Sequence, residues 1–392
     1  MSGTPAGTRP MGPEDPFWQE LRALYPALER LTYLNNASIQ PLPRPVADAL
    51  HLYVSTACEG DPETLHSPEV YARLRGTFAL WLGCSASDLA LTSSTSDGLI
   101  KAVNAVPWRA GDEVVLPCNE FPSVTYPLEM ARRDGASVRM AGSPGRPVTE
   151  EEILAAVTPK TRAAAFSWVS FSTGYRVDVG ALASRLKERG VEYVIVDGMQ
   201  GAGVWDPRLR ETEVDFFAFQ AVKWMAGPNG IGALYVRPGL LEKIRNRALS
   251  WFSVPCCEDF SLLTQPGLAP FPEARQLDGG TPVTIAATAV QAYLDLLAPA
   301  GVAGVSTRVA WLMERLAAIL EERRIPTLVP LRGALPSSIT LLEVADPADA
   351  HARLRNAGVA TSLRMGRIRV SPHAYNVEED FRRLVRVLEG GK

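Results

Sequence analysis

The chain is poor in the residues that build metal and disulfide frameworks. Its 392 residues include only five cysteines and four histidines. The cysteine count is odd, no C-x-x-C is present, and His51, His66, His351 and His373 are scattered. Neither a disulfide framework nor a metal site is expected. Excess charge is also scarce. A net charge of -3 leaves no basic footprint for nucleic acid. No apolar run reaches the ~18 residues of a membrane span. No basic-then-apolar leader opens the chain, so a cytoplasmic protein with no nucleic-acid or membrane partner is expected.

What the chain has is core. Hydrophobic residues make up 46% of it, enough for roughly two domains at ~150 residues each. Residues 1 to about 16 carry Gly, Pro, Thr and Ser with little that is apolar and read as disordered. Trp18, Leu21, Leu24 and Leu28 then recur at helical spacing within Phe17 to Leu31. Further on, apolar runs alternate with helical patterns. The strands expected include Asp88 to Ser94, Glu113 to Pro117, Ala163 to Ser170 and Tyr193 to Val196. Strand, helix, strand in repetition argues for a parallel sheet with helices on both faces.

The most informative stretch runs from Val214 to Arg237. It reads as a buried strand at Phe216 to Phe219, a lone Lys223, glycines at 227, 230 and 232, and a second strand at Ala233 to Val236. Lysine is rarely buried without a purpose. A desolvated lysine has a depressed pKa and can attack a carbonyl to form a Schiff base. A lysine on a surface turn is the plainer reading of this segment alone. Upstream, the β-branched run Tyr193 to Val196 ends in Asp197, followed by Gln200. An acid at the carboxyl end of such a strand sits where open α/β sheets bind ligands. A lysine for an aldehyde, an acid for a pyridinium nitrogen and a donor near a ring oxygen are what pyridoxal 5'-phosphate needs.

With these residues in place, the chain from about Tyr33 to its C-terminus resembles the class V aminotransferases of pyridoxal-phosphate fold type I. That family includes cysteine desulfurases, selenocysteine lyases, kynureninases and isopenicillin-epimerase-like proteins. The resemblance implies a large domain with a mostly parallel seven-stranded sheet sandwiched by helices, and a smaller α+β C-terminal domain. The expected division is an arm and helix at 1–32, a cofactor domain at 33–285 and a small domain at 286–392. The segment from Ser93 to Gly98 looks like the family's T-S-G-A-T-E stretch, with Ser94 at the glycine position. It implies that Thr95 and Ser96 hold the phosphate at a helix N-terminus. Phe121 falls where the family stacks a ring on the pyridine, and unlike histidine it cannot move protons. Gln220 takes the place of a phosphate-binding serine, and Val222 that of the desulfurase histidine. Phe171 replaces an asparagine. Thr281, in Asp278-Gly279-Gly280-Thr281-Pro282, implies contact with the phosphate of a second subunit and hence a homodimer with shared active sites. Asn36 and Ser38 are expected near the substrate carboxylate. Arg369, six residues before Tyr375-Asn376, matches the arginine that binds it, with Arg364 and Arg367 as weaker candidates.

The function implied is a pyridoxal-phosphate enzyme acting at the Cα of an amino acid through a Lys223 Schiff base, with aminotransferase chemistry first. No cysteine lies between Glu343 and Arg369, where desulfurases carry their nucleophile, so persulfide formation is not expected. Epimerisation and β-elimination of a C–S bond remain open, as does a catalytically silent protein of the same fold. A nicotinamide enzyme is disfavoured, because Gly198, Gly201 and Gly203 lack G-x-G-x-x-G spacing. Cys256 and Cys257 are adjacent and are expected to stay reduced.

Overall fold

The computed structural model describes residues 11–245, 249–333 and 335–390. The strands of the main sheet follow β1, a two-residue strand at Thr32–Tyr33. They are β2 (Leu89–Thr92), β3 (Glu113–Pro117), β4 (Ser137–Ala141), β5 (Thr161–Ser167), β6 (Tyr193–Asp197), β7 (Phe216–Gln220) and β8 (Gly232–Val236). Their order across the sheet is β2-β8-β7-β6-β5-β3-β4. Only β8 runs against its neighbours, so the expected mostly parallel seven-stranded sheet is present.

Apart from the largely exposed edge strand β4, both faces of this sheet are buried, which explains the continuous apolar runs. Within β6, Val194 and Val196 join one core cluster and Tyr193 and Ile195 the other. In β7, Phe217 and Phe219 face one way and Phe216 and Ala218 the other. Helix α1 is Phe17–Ala23, α2 is Arg44–Glu59, α3 is Pro68–Leu82 and α4 is Thr95–Ala105. Leu74 and Phe78 of α3 pack on the first cluster, and Leu99, Ala102 and Val103 of α4 on the second.

The helix expected over Phe17 to Leu31 stops at Ala23 and is followed by a short 3-10 turn at Pro26–Glu29. Pro26 lacks the N–H that a continuing helix needs. Residues 1–10 lie outside the described residues, but the expected disorder does not extend to residue 16. The Gly12 carbonyl accepts from Trp18 Nε1 at 2.9 Å, and the Pro13 carbonyl from Arg308 Nη1 at 2.5 Å. The strand readings at Asp88 to Ser94 and Ala163 to Ser170 were too long at their carboxyl ends, where the chain leaves the sheet for the site.

The C-terminal part holds β9 (Thr340–Leu342), β10 (Val359–Ala360), β11 (Ser362–Arg364) and β12 (Arg367–Val370). Strands β11, β12 and β9 form an antiparallel sheet in that order. Strand β1 pairs in parallel with β10, and Asn36 N–H donates to the Ser371 carbonyl at 3.1 Å. The segment expected to open the large domain therefore makes its backbone bonds with the C-terminal part. The last helix is Glu378–Leu388, and its first turn is capped by Asp380. The Asp380 carboxylate accepts from Val377 N–H at 3.1 Å and from Asn376 Nδ2 at 2.8 Å.

One glycine fixes the seating of α4. A Cβ on Gly98 would lie 2.8 Å from the Ala218 Cβ on β7. Gly98→Val is expected to cost about 1–3 kcal/mol through overpacking. Denaturant unfolding checks this, and wild-type stability would show that α4 does not depend on this close approach.

Candidate active site

Strands β2, β3, β5, β6 and β7 bring their carboxyl ends to one edge of the sheet, where the chain turns into loops around a cavity of about 320 Å³. Ser38, Thr95, Ser96, Phe121, Asp197, Gln200, Gln220 and Lys223 all line it. Positions that are far apart in sequence converge because parallel strands deliver every carboxyl end to the same side.

Lys223 Nζ makes no hydrogen bond or ion pair with the described residues. Burial pulls it down to about 8, the charge of Asp197 opposes that fall, and Arg369 and Arg364 add to it. The Asp197 carboxyl is pushed up to about 6 by burial, against a 2.8 Å bond from Met199 N–H and the charge of Lys223. The two groups thus attract across the cavity without a direct bond.

The backbone after Lys223 is pinned on three sides. His373 Nδ1 accepts from Ala374 N–H at 2.6 Å, so Nε2 carries the proton and donates to the Trp224 carbonyl at 3.1 Å. Burial lowers His373 to about 4 and keeps it neutral. Gln200 Oε1 accepts from Trp224 Nε1 at 3.1 Å, while its Nε2 donates to the Ala37 carbonyl at 3.0 Å. Gln40 Oε1 accepts from Ala226 N–H at 3.2 Å and supports that residue at a left-handed φ of 46°. His373 and Gln40 escaped the sequence reading. Their contacts span 149 and 186 positions, and no local pattern marks them.

At the N-terminus of α4, the first-turn N–H groups of Thr95 and Ser96 have no intrahelical acceptor. Thr95 Oγ1 reaches only the weak acceptor Met199 Sδ, at 3.0 Å. Ser96 Oγ lies 2.6 Å from Ser123 Oγ, and Gln220 Nε2 donates to Asn229 Oδ1 at 3.3 Å. Phe121 meets Phe171 edge to face at 5.1 Å, making an apolar wall.

Arg369 is 2% exposed and has only neutral oxygens around it. It donates to Ser362 Oγ (3.2 Å), the Phe171 carbonyl (3.2 Å) and Ser38 Oγ (2.7 Å). The carbonyl of Phe171 thus makes a polar contact where an asparagine side chain was missed. Asn36 does not line the cavity. Its Nδ2 donates to the Ser371 carbonyl at 3.0 Å and its Oδ1 accepts from Tyr375 Oη at 2.9 Å. Thr281 also lies outside this cavity, in a separate cleft beside Ser93, Asp97 and Gly230. Cys256 and Cys257 are free, and no cysteine lines the cavity. Among the described residues there is no metal-binding cluster, and no single helix is long and apolar enough to cross a membrane.

A family model described as Aminotransferase class-V matches residues 32–386. The chain belongs to the class-V aminotransferase family. It is 24% identical to the uncharacterized aminotransferase YcbU of Bacillus subtilis, over 94% of this chain and 96% of that protein. It is 28% identical to isopenicillin N epimerase of Amycolatopsis lactamdurans, over 95% and 98%. The solved structure of the cystine C-S lyase C-DES superposes with a TM-score of 0.83 at 21% identity, covering 94% of this chain and all of that one. The protein is an enzyme of the pyridoxal-phosphate type, and the cavity fits the cofactor. It offers an unpaired, desolvated lysine, a buried acid, unsatisfied donors at a helix N-terminus and an aromatic wall.

A second, half-buried acid stands behind the site. Glu120 accepts from Ser167 N–H at 2.7 Å and from Ser167 Oγ. Burial pushes its carboxyl up to about 7, the Ser167 bonds oppose the rise, and Asp197 adds to it. The folded protein therefore holds this proton more tightly than the unfolded chain. Stability from Glu120 falls as pH rises from about 4.5 towards 7. Glu120→Gln keeps the bond from Ser167 N–H at its oxygen, and its amide N–H can donate to the Ser167 hydroxyl in place of the bond it now accepts. Its Tm should exceed that of wild type at pH 8 and lose that advantage at pH 4. A difference that does not vary with pH would contradict this assignment.

Proposed function

We propose that the protein is an aminotransferase acting at the Cα of an amino acid. The observation that carries this reading is the cavity's inventory of titratable groups. Among the described residues, Lys223 and Asp197 are the only titratable groups lining it, which favours a single base at the Cα. Bound pyridoxal phosphate would acidify the bonds to that carbon.

The residues divide the remaining work. The N–H groups of Thr95 and Ser96, with the Ser96, Ser123 and Gln220 side chains, would hold the phosphate. Asp197 would keep a proton on the ring nitrogen, and its burial makes that contact strong. Phe121 would cover the ring face. Arg369, buried beside neutral oxygens only, would take the substrate's α-carboxylate in its planar fork, with Ser38 supporting it. Lys223 Nζ, depressed to about 8, is free to take a proton from Cα and return it to a neighbouring atom on the same face.

That single-base arrangement suits transamination. A two-base epimerisation needs a second proton carrier, and among the described residues of this chain the cavity lining offers none besides Asp197. Persulfide formation needs a cysteine that the cavity lacks. By the same family likeness, Thr281 would serve the site of a second copy in a homodimer. The intact Lys223, Asp197 and Arg369 argue against a silent binding protein.

The test is single-turnover assay of the holoenzyme with a panel of amino acids. Borohydride should add the phosphopyridoxyl mass to the Lys223 peptide, and Lys223→Ala should lose about 10²–10⁴-fold in rate. One equivalent of oxo acid should be released, with turnover resuming only when an oxo acid is added. Repeated turnover without an oxo acid would instead identify a lyase. Recovered substrate of inverted configuration carrying solvent deuterium at Cα would identify an epimerase.

A further inference from the structure

Strands β11 and β12 form a hairpin whose paired residues share a face. The register sets Ser362 against Arg369 and Arg364 against Arg367. Arg369 Nε donates to Ser362 Oγ at 3.2 Å and its Nη2 to Ser38 Oγ at 2.7 Å, so this face turns Arg369 towards Ser38, which lines the cavity. Arg364 stands two residues beyond Ser362 on that face, roughly 7 Å along the strand. Its charge is near enough to lower both Lys223 and Arg369.

The pairing leaves one cation unmatched. Like charges directly opposite one another on two strands destabilise the pair. Arg367 is neutralised by Glu343, with Nη2 to Oε1 at 2.9 Å. Arg364 has no such partner among the described residues. Its Nη1 donates to the neighbouring Leu363 carbonyl at 2.8 Å, and its side chain is exposed. Arg369, equally without a carboxylate, would be satisfied by the substrate's α-carboxylate. A second guanidinium then stands outward of Arg369 on the same hairpin face, exposed and with its charge unspent. Phe121 and Phe171, which meet edge to face, supply no counter-charge.

We infer that Arg364 is a specificity residue, and that the substrate is an amino acid whose side chain carries a second carboxylate. The α-carboxylate goes to Arg369 and the distal one to Arg364. This inference rests on the reading of Arg369 as the α-carboxylate anchor.

The test compares two unreactive ligands of one shape, glutarate and its monoamide, by calorimetric titration of the holoenzyme. Glutarate should bind about tenfold more tightly or better, the effect of one charge-assisted contact. In Arg364→Gln the glutarate-to-monoamide ratio should collapse towards one, and Arg364→Lys should restore part of it. Equal binding of the two ligands to wild type, or a ratio that survives Arg364→Gln, overturns the inference. Loss of monoamide binding in Arg369→Gln alongside either result would leave the anchor standing and the inference alone refuted. If Arg369→Gln changes neither affinity, the anchor is wrong and the inference falls with it. Aspartate and glutamate should likewise outrank asparagine and glutamine in kcat/KM, chiefly through KM.

Discussion

Lys223 and Asp197 attract each other across a desolvated cavity that gives them no direct bond. Each is taken partly out of water, which costs free energy and draws the lysine down and the acid up. Their mutual attraction limits both shifts without cancelling either. A lysine buried in a closed ion pair would be fixed as an ammonium, and a fully solvated one would stay protonated at neutral pH. The spacing set by β6 and β7 keeps Lys223 between these limits. The rest of the sheet serves that spacing, since moving either strand end changes both shifts.

The loop after β7 shows how much scaffold one such lysine requires. Three buried side chains, His373, Gln200 and Gln40, hold Trp224 and Ala226. His373 can donate to the Trp224 carbonyl because its own backbone neighbour fixes the tautomer. Gln200 and Gln40 link this loop to the chain between Ala37 and Gln40, which also supplies Ser38 to Arg369. Cofactor side and substrate side are therefore tied through the same few residues. A disturbance of the C-terminal part at His373 reaches the backbone beside Lys223 through a single hydrogen bond.

Cations gather where the substrate would enter. Arg369 is enclosed and Arg364 is open to solvent, yet both lower Lys223. Burial makes Arg369 expensive without an anion. Binding a carboxylate would relieve that cost and soften the repulsion of Lys223 at the same time. Positioning and base strength are thus linked by charge as well as by geometry.

The sequence by itself determined the parallel sheet, the lysine after β7 and the acid at the end of β6. These are local patterns: β-branched runs buried on both faces, ending in a polar residue. It also placed Thr95 and Ser96 at a helix start, where hydroxyls and free N–H groups coincide. Family resemblance singled out Arg369 among three nearby arginines, but only the tertiary structure decided how each is used. Strand register buries one without a counter-ion, pairs one with Glu343 and leaves one open at the rim. Tertiary structure likewise turned Asn36 into a bracing residue, kept Thr281 out of this chain's own cavity and recruited His373. In each case the deciding contact joins residues scores of positions apart. No short window of sequence contains both partners, and their meeting depends on how the main sheet and the C-terminal part of the chain pack together.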